Sequence, residues 1–123
     1  MNYMMLIYME GVPPSEPEID GVPGCAQAIA DRLGETGQYV SAGVLSPVAT
    51  ATSVRVRNEH RLVTDGPFAE TREQLAGYLI VEANDLDEAI AIAAQHPVAQ
   101  VGTIEIRPVA TISAKKSPSA AAK

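Results

Sequence analysis

The segment Asn2-Tyr3-Met4-Met5-Leu6-Ile7-Tyr8-Met9 is apolar at both alternating sets of positions, and it limits the possible folds more than any other stretch. Side chains on a strand point alternately to two faces, so a strand that is apolar at both sets needs cover on both sides. The strand stops at Glu10-Gly11-Val12-Pro13-Pro14. Residues 11–24 are rich in proline, glycine and acidic side chains and read as a loop without a helical run of its own.

A helix is expected from about Gly24 to Thr36, with Ile29 and Leu33 on its apolar stripe, Ala26 and Ala30 beside them, and Gly37 at the C′ position. Gln38 to Pro47 reads as irregular. Ala51 to Arg57 then alternates Val54 and Val56 with Arg55 and Arg57, and Asn58-Glu59-His60 turns the chain back into Arg61-Leu62-Val63-Thr64, which predicts a hairpin. Asp65-Gly66-Pro67-Phe68 is a turn by composition. Gln74 to Ala83 is the next strand. Asn84-Asp85-Leu86-Asp87-Glu88 opens a second helix with a capping residue and first-turn carboxylates. In that helix Leu86, Ala89, Ile90 and Ala93 have the spacing of a buried face, and it ends at His96-Pro97. Gly102 to Val109 alternates Ile104 and Ile106 with polar residues and forms the last strand.

This order of elements, strand, helix, hairpin, strand, helix, strand, is that of a split βαβ arrangement in an α+β domain with both helices on one face. Residues 1–112 form the expected domain. Residues 113–123, Ser-Ala-Lys-Lys-Ser-Pro-Ser-Ala-Ala-Ala-Lys, have low complexity and are expected to form a flexible tail.

Two short helices leave the second sheet face uncovered. With Leu79, Val81, Ile104 and Ile106 turned to the helices, the other face carries Tyr78, Ile80, Glu82, Thr103, Glu105, Arg107 and Val109. Such a mixed surface suits either a dimer seam around a wet cavity or a solvated face with cross-strand Glu–Arg pairs.

Charge and cysteine content narrow the partners. With 15 acidic and 9 basic residues the net charge is -6, which repels a phosphate backbone. The basic groups Arg55/Arg57/Arg61 and Lys115/Lys116 lack interleaved aromatics, so nucleic-acid binding is not expected. The one cysteine, Cys25, cannot form an internal disulfide, and no apolar run approaches the roughly 18 residues of a membrane span. Met1 to Met9 lacks the basic start and cleavage site of a signal peptide, so a cytoplasmic address is expected. No phosphate loop, dinucleotide fingerprint or nucleophile elbow is present, and neither a cofactor nor a metal is expected.

The most specific signal is the run Asp65-Gly66-Pro67-Phe68-Ala69-Glu70-Thr71-Arg72-Glu73-Gln74-Leu75-Ala76-Gly77-Tyr78. It closely resembles the signature of DGPF-domain proteins in the YCII-related (YciI-like) superfamily. The opening strand, Ala49 to Arg55, Asp85 to Ala89, and Gly102 to Val109 resemble the flanking elements of those proteins, so the likeness covers about residues 2 to 110. The resemblance implies ferredoxin-like protomers, here with an inserted β-hairpin, assembled as a homodimer of the dimeric α/β-barrel superfamily. It also implies a pocket with a His–Asp pair in which Asp65 is the acid, and a gene context beside extracytoplasmic-type sigma factors. In YCII-type relatives the histidine lies on the first helix, whereas Gly24 to Thr36 contains none.

Each candidate has a chemical and a structural reading. Asp65 is a general acid or base where the turn desolvates it, or an Asx-type cap of the Gly66-Pro67 turn. Glu70, Arg72 and Glu73 orient a polar ligand, Arg72 with a planar two-point grip, or form a solvated charge run. Tyr78 donates its hydroxyl to a cavity or packs on the strand face. Phe68 is expected to pin its loop to the core. His60 and His96 read as surface or helix-end residues, and Cys25 as a small helix residue.

Three functional readings follow. The first is a small cofactor-independent enzyme, a lyase, isomerase or hydrolase, acting on a small polar molecule with Asp65 as general acid/base and Glu70, Arg72 and Tyr78 around the substrate. The second is a non-catalytic ligand-binding or regulatory module linked to sigma-factor-dependent transcription. In the third, the motif is a structural turn at the dimer seam.

Overall fold

The computed structural model describes residues 1–11, 18–19 and 22–115 of the chain. Most of the 11–24 loop and residues 116–123 of the expected tail lie outside the described residues. Strand β1 (Asn2–Met9) is followed by the two-residue strands β2 (Glu18–Ile19) and β3 (Val22–Pro23), which pair with each other. Helix α1 spans Gly24–Glu35, β4 Tyr39–Val44, β5 Thr52–Arg57, β6 His60–Asp65 and β7 Gln74–Glu82. Helix α2 (Leu86–Ala94) and β8 (Thr103–Pro108) complete the order, with 3-10 turns at Val48–Thr50 and Pro97–Gln100.

The main sheet has the order β4-β7-β1-β8, antiparallel throughout. With two helices on one side, this is an α+β fold compatible with a ferredoxin-like arrangement. The strand β4 corrects the expectation of irregular chain from Gln38 to Pro47. Tyr-Val-Ser-Ala-Gly-Val has weak alternation, and its pairing skips a residue between Tyr39 and Ser41, so the free edge of β7 recruits it through backbone hydrogen bonds more than through apolar period.

The core lies between the sheet and the helices. Tyr3, Met5, Leu79 and Val81 meet Ile29 and Leu33 of α1 and Ala89 and Ala93 of α2, with Met5 and Val81 fully buried. Ile104 and Ile106 pack against the same cluster, as their alternation predicts. The apolar face of α2 departs from expectation. Ala89, Ile92 and Ala93 turn inward, while Leu86 and Ile90 are half exposed. An alanine-rich helix offers two apolar ridges, and the close approach to the sheet selects the smaller side chains. Asp85 caps this helix by accepting the Glu88 backbone N–H at 2.9 Å.

Strands β5 and β6 form a separate two-stranded sheet, joined by Asn58 and Glu59 with φ of 50° and 66°, the pair of left-handed residues of a type I′ hairpin. His60 therefore opens β6 and does not lie in the turn. Both faces of this hairpin are exposed, including Val54, Val56, Leu62 and Val63.

Candidate functional site

The motif begins where the hairpin ends. Asp65 pairs with Thr52 as the last residue of β6, and its side chain is exposed, with no hydrogen bond or ion pair from its carboxylate among the described residues. The turn is held by its backbone instead. Gly66 donates its N–H to the Ala51 carbonyl at 2.7 Å, and the Ser53 hydroxyl donates to the Gly66 carbonyl at 2.8 Å. Gly66 has φ of 104°, a conformation that a side chain with a Cβ adopts only under strain.

Phe68 corrects the expectation of a core anchor. It is 77% exposed, because it follows a hairpin that stands away from the body, and it lies under the Arg55 guanidinium at 5.6 Å from the ring centre. Glu70 is exposed. Arg72 is exposed and pairs with Glu10 at 3.4 Å, a surface ion pair worth little to stability but able to hold the segment beside the end of β1. Glu73 accepts the Thr103 hydroxyl at 2.7 Å and ties the segment to β8. Within one chain, Asp65, Glu70 and Arg72 thus line a run of exposed backbone and do not enclose a pocket.

Tyr78 stands on the sheet face away from the helices, half buried. Its partners across the strands are Leu6 and Gly43, and a Cβ at Gly43 would sit 2.6 Å from the tyrosine ring, so only glycine leaves room for it. The row continues to Glu105, and a second row runs Ser41-Ile80-Met4-Arg107. Met4, Leu6, Tyr8, Tyr78 and Ile80 give this face a half-buried apolar centre that neither helix of the described residues covers. Glu105 and Arg107 pair at 2.5 Å along one strand, in place of the cross-strand pairing expected of a solvated face.

A cavity of about 190 Å³ lies between α1 and the sheet. Cys25, Ala26, Ile29 and Ala30 of α1 roof it over Ala42 of β4 and Gly77 and Leu79 of β7, and the small residues among these create the space. Of Asp65, Glu70, Arg72 and Tyr78, only Tyr78 borders it, as the residue between Gly77 and Leu79 on β7, while its ring stands on the opposite face of the sheet.

The cavity also reveals a residue that sequence reasoning placed poorly. Helix α2 ends at Ala94, short of the expected His96-Pro97, and His96 stands just beyond it, buried at 6% exposure and lining the cavity. Its Nδ1 accepts the Val98 backbone N–H at 3.1 Å and so caps the 3-10 turn that Pro97 begins. Burial lowers its pKa below the ordinary 6.5. The signal in the sequence was the His-Pro pair, since a polar residue just before a proline suits the cap of a following turn. Cys25, also buried, is a free thiol on the same wall.

Among the described residues, no group of three His, Cys, Asp or Glu side chains is arranged to hold a metal ion. No helix of the described chain is long and apolar enough to cross a membrane.

An uncharacterized protein of Rhizobium meliloti (strain 1021) is 39% identical over 90 residues, which cover 67% of this chain and 73% of the relative. The model of the YCII-related domain matches residues 1–113. The chain belongs to the family of YCII-related domain proteins.

Proposed function

We propose that the protein is a cytoplasmic homodimer of the dimeric α/β-barrel type, formed by packing two uncovered sheet faces, and that it is a small cofactor-independent enzyme. On this reading a small polar molecule enters the seam between copies, where Asp65 is the general acid/base and Glu70, Arg72 and Tyr78 surround the substrate. The observation that carries it is the uncovered sheet face, whose apolar centre of Met4, Leu6, Tyr8, Tyr78 and Ile80 is only half buried in one chain. A second copy would bury that centre. It would also desolvate side chains beside it, and desolvation is what raises a carboxyl pKa toward a working pH.

Placement of the two histidines favours a second reading, a ligand-binding or regulatory module without chemistry. His60 pairs with Arg57 at the far end of the hairpin, about 17 Å from Asp65 at ~3.4 Å per residue. His96 lines the cavity under α1, which Asp65 does not. The general base would then act without an imidazole partner from its own chain.

The test combines mass with binding. Light scattering should give twice the chain mass. A thermal-shift screen of small carboxylates, phenols, lactones and amines should find a compound that stabilises the parent and loses its effect on Asp65→Asn. Turnover of that compound by the parent, lost in Asp65→Asn with the fold retained, marks an enzyme. Saturable binding without turnover selects the module, and a monomeric mass overturns the seam.

A further inference from the structure

The space under α1 has a chemistry of its own, separate from the Asp65 seam. An apolar cavity of about 150 Å³ can stay dry and accept a benzene-sized molecule. At about 190 Å³, this one has room for such a ring with a short substituent. Its walls include Ile7, Met9, Ile29 and Leu79, with Gln27 and Tyr39 at its border, and among the described residues no charged side chain lines it. A carboxylate or ammonium inside would lack a counter-charge, so the volume and the walls select a neutral guest.

One group in the wall supplies direction. Because His96 Nδ1 accepts from Val98, that nitrogen is unprotonated and the ring proton resides on Nε2. Nε2 has no hydrogen-bond partner among the described residues, although the residue is buried and lines the cavity. Nor is it sealed away, since among the described residues no fully buried side-chain nitrogen or oxygen is left without a partner. A buried donor with its free N–H at a cavity wall calls for an acceptor. We propose that this cavity binds a neutral, single-ring molecule bearing one carbonyl-type acceptor, which the His96 Nε2–H engages. Burial of the ring, which disfavours its charged form, keeps it in the neutral state that such a ligand requires.

Three probes of similar size separate the terms: acetophenone has ring and acceptor, ethylbenzene has the ring alone, and benzoate has a charge. Acetophenone should raise the melting temperature of the full chain and move the His96 Nε2–H resonance. Ethylbenzene should bind about tenfold more weakly, the worth of one hydrogen bond, and benzoate should have no effect. His96→Asn keeps an oxygen to accept from Val98 but loses the inward donor, so its affinity for acetophenone should fall to that for ethylbenzene. Ala30→Leu should abolish both by filling the space. Equal binding of acetophenone and ethylbenzene to the parent would reduce the cavity to an unspecific void and overturn the proposal, as would no binding of either at millimolar concentration. If His96→Asn fails to fold, the resonance in the parent decides: movement with acetophenone and not with ethylbenzene sustains the site, and no movement removes it.

Discussion

Strands β5 and β8 have similar sequences and opposite fates. Thr-Ser-Val-Arg-Val-Arg in β5 and Thr-Ile-Glu-Ile-Arg-Pro in β8 both alternate β-branched apolar residues with polar ones. In β8, Ile104 and Ile106 pack onto the core beneath the helices. In β5, Val54 and Val56 are each 60% exposed, because among the described residues no sheet or helix packs against the hairpin. Alternation therefore reports a capacity for burial, and the neighbouring surface decides whether it is realised. The helix-facing side of the main sheet finds its packing partners within the chain, whereas the valines of the arm stay exposed.

Truncating a side chain in each region should show the difference at its largest. Met5→Ala, at a fully buried position, should destabilise the chain by about 2–5 kcal/mol in urea unfolding. Val56→Ala should change the stability of an isolated chain by less than about 0.5 kcal/mol. If a second copy covers the arm, the loss for Val56→Ala grows with protein concentration, and equal losses at low and high concentration would show that the arm stays in water.

A smaller effect is expected where arm and body join. Gly66→Val places a branched side chain at φ of 104° and should cost about 1–3 kcal/mol, read from the melt. A variant that melts like the parent would show that this turn adjusts freely.

The smallest effect concerns a proton in the body. With the His96 pKa held below its ordinary 6.5 by burial, the unfolded chain binds a proton that the folded chain does not. The contribution of the neutral ring is complete above pH of about 6.5 and is lost progressively as pH falls through that value toward the lower folded-state pKa. The slope should stay below about 1.4 kcal/mol per pH unit, the limit for one proton. His96→Asn should flatten this part of the stability profile measured between neutral and mildly acidic pH, and an unchanged profile would refute the shift.

Periodicity made α1, the hairpin, α2 and β8 legible, whereas β1 and β7 stood out as apolar runs bounded by breaks in the pattern. It failed where pairing or packing overrode pattern. Strand β4 is set by the edge of β7, and the inward ridge of α2 by the closeness of the sheet. The motif at Asp65 announced itself in sequence, yet Phe68 could not be read as exposed without knowing that the hairpin projects. Tyr78 was found by its position on a strand. The cavity was hidden because Ala26, Ala30 and Ala42 create it by what they lack, and small residues far apart in sequence carry no local signal.

The isolated hairpin leaves one unpaired backbone edge on each of β5 and β6, and such edges can template runaway strand addition. Arg55 and Arg57 on one strand and Arg61 on the other put like charges along those edges. Two arms meeting side by side repel each other before their backbones can pair. Neutralising these arginines should therefore promote fibrous precipitates, so the charge on the arm acts as a guard against the wrong kind of assembly.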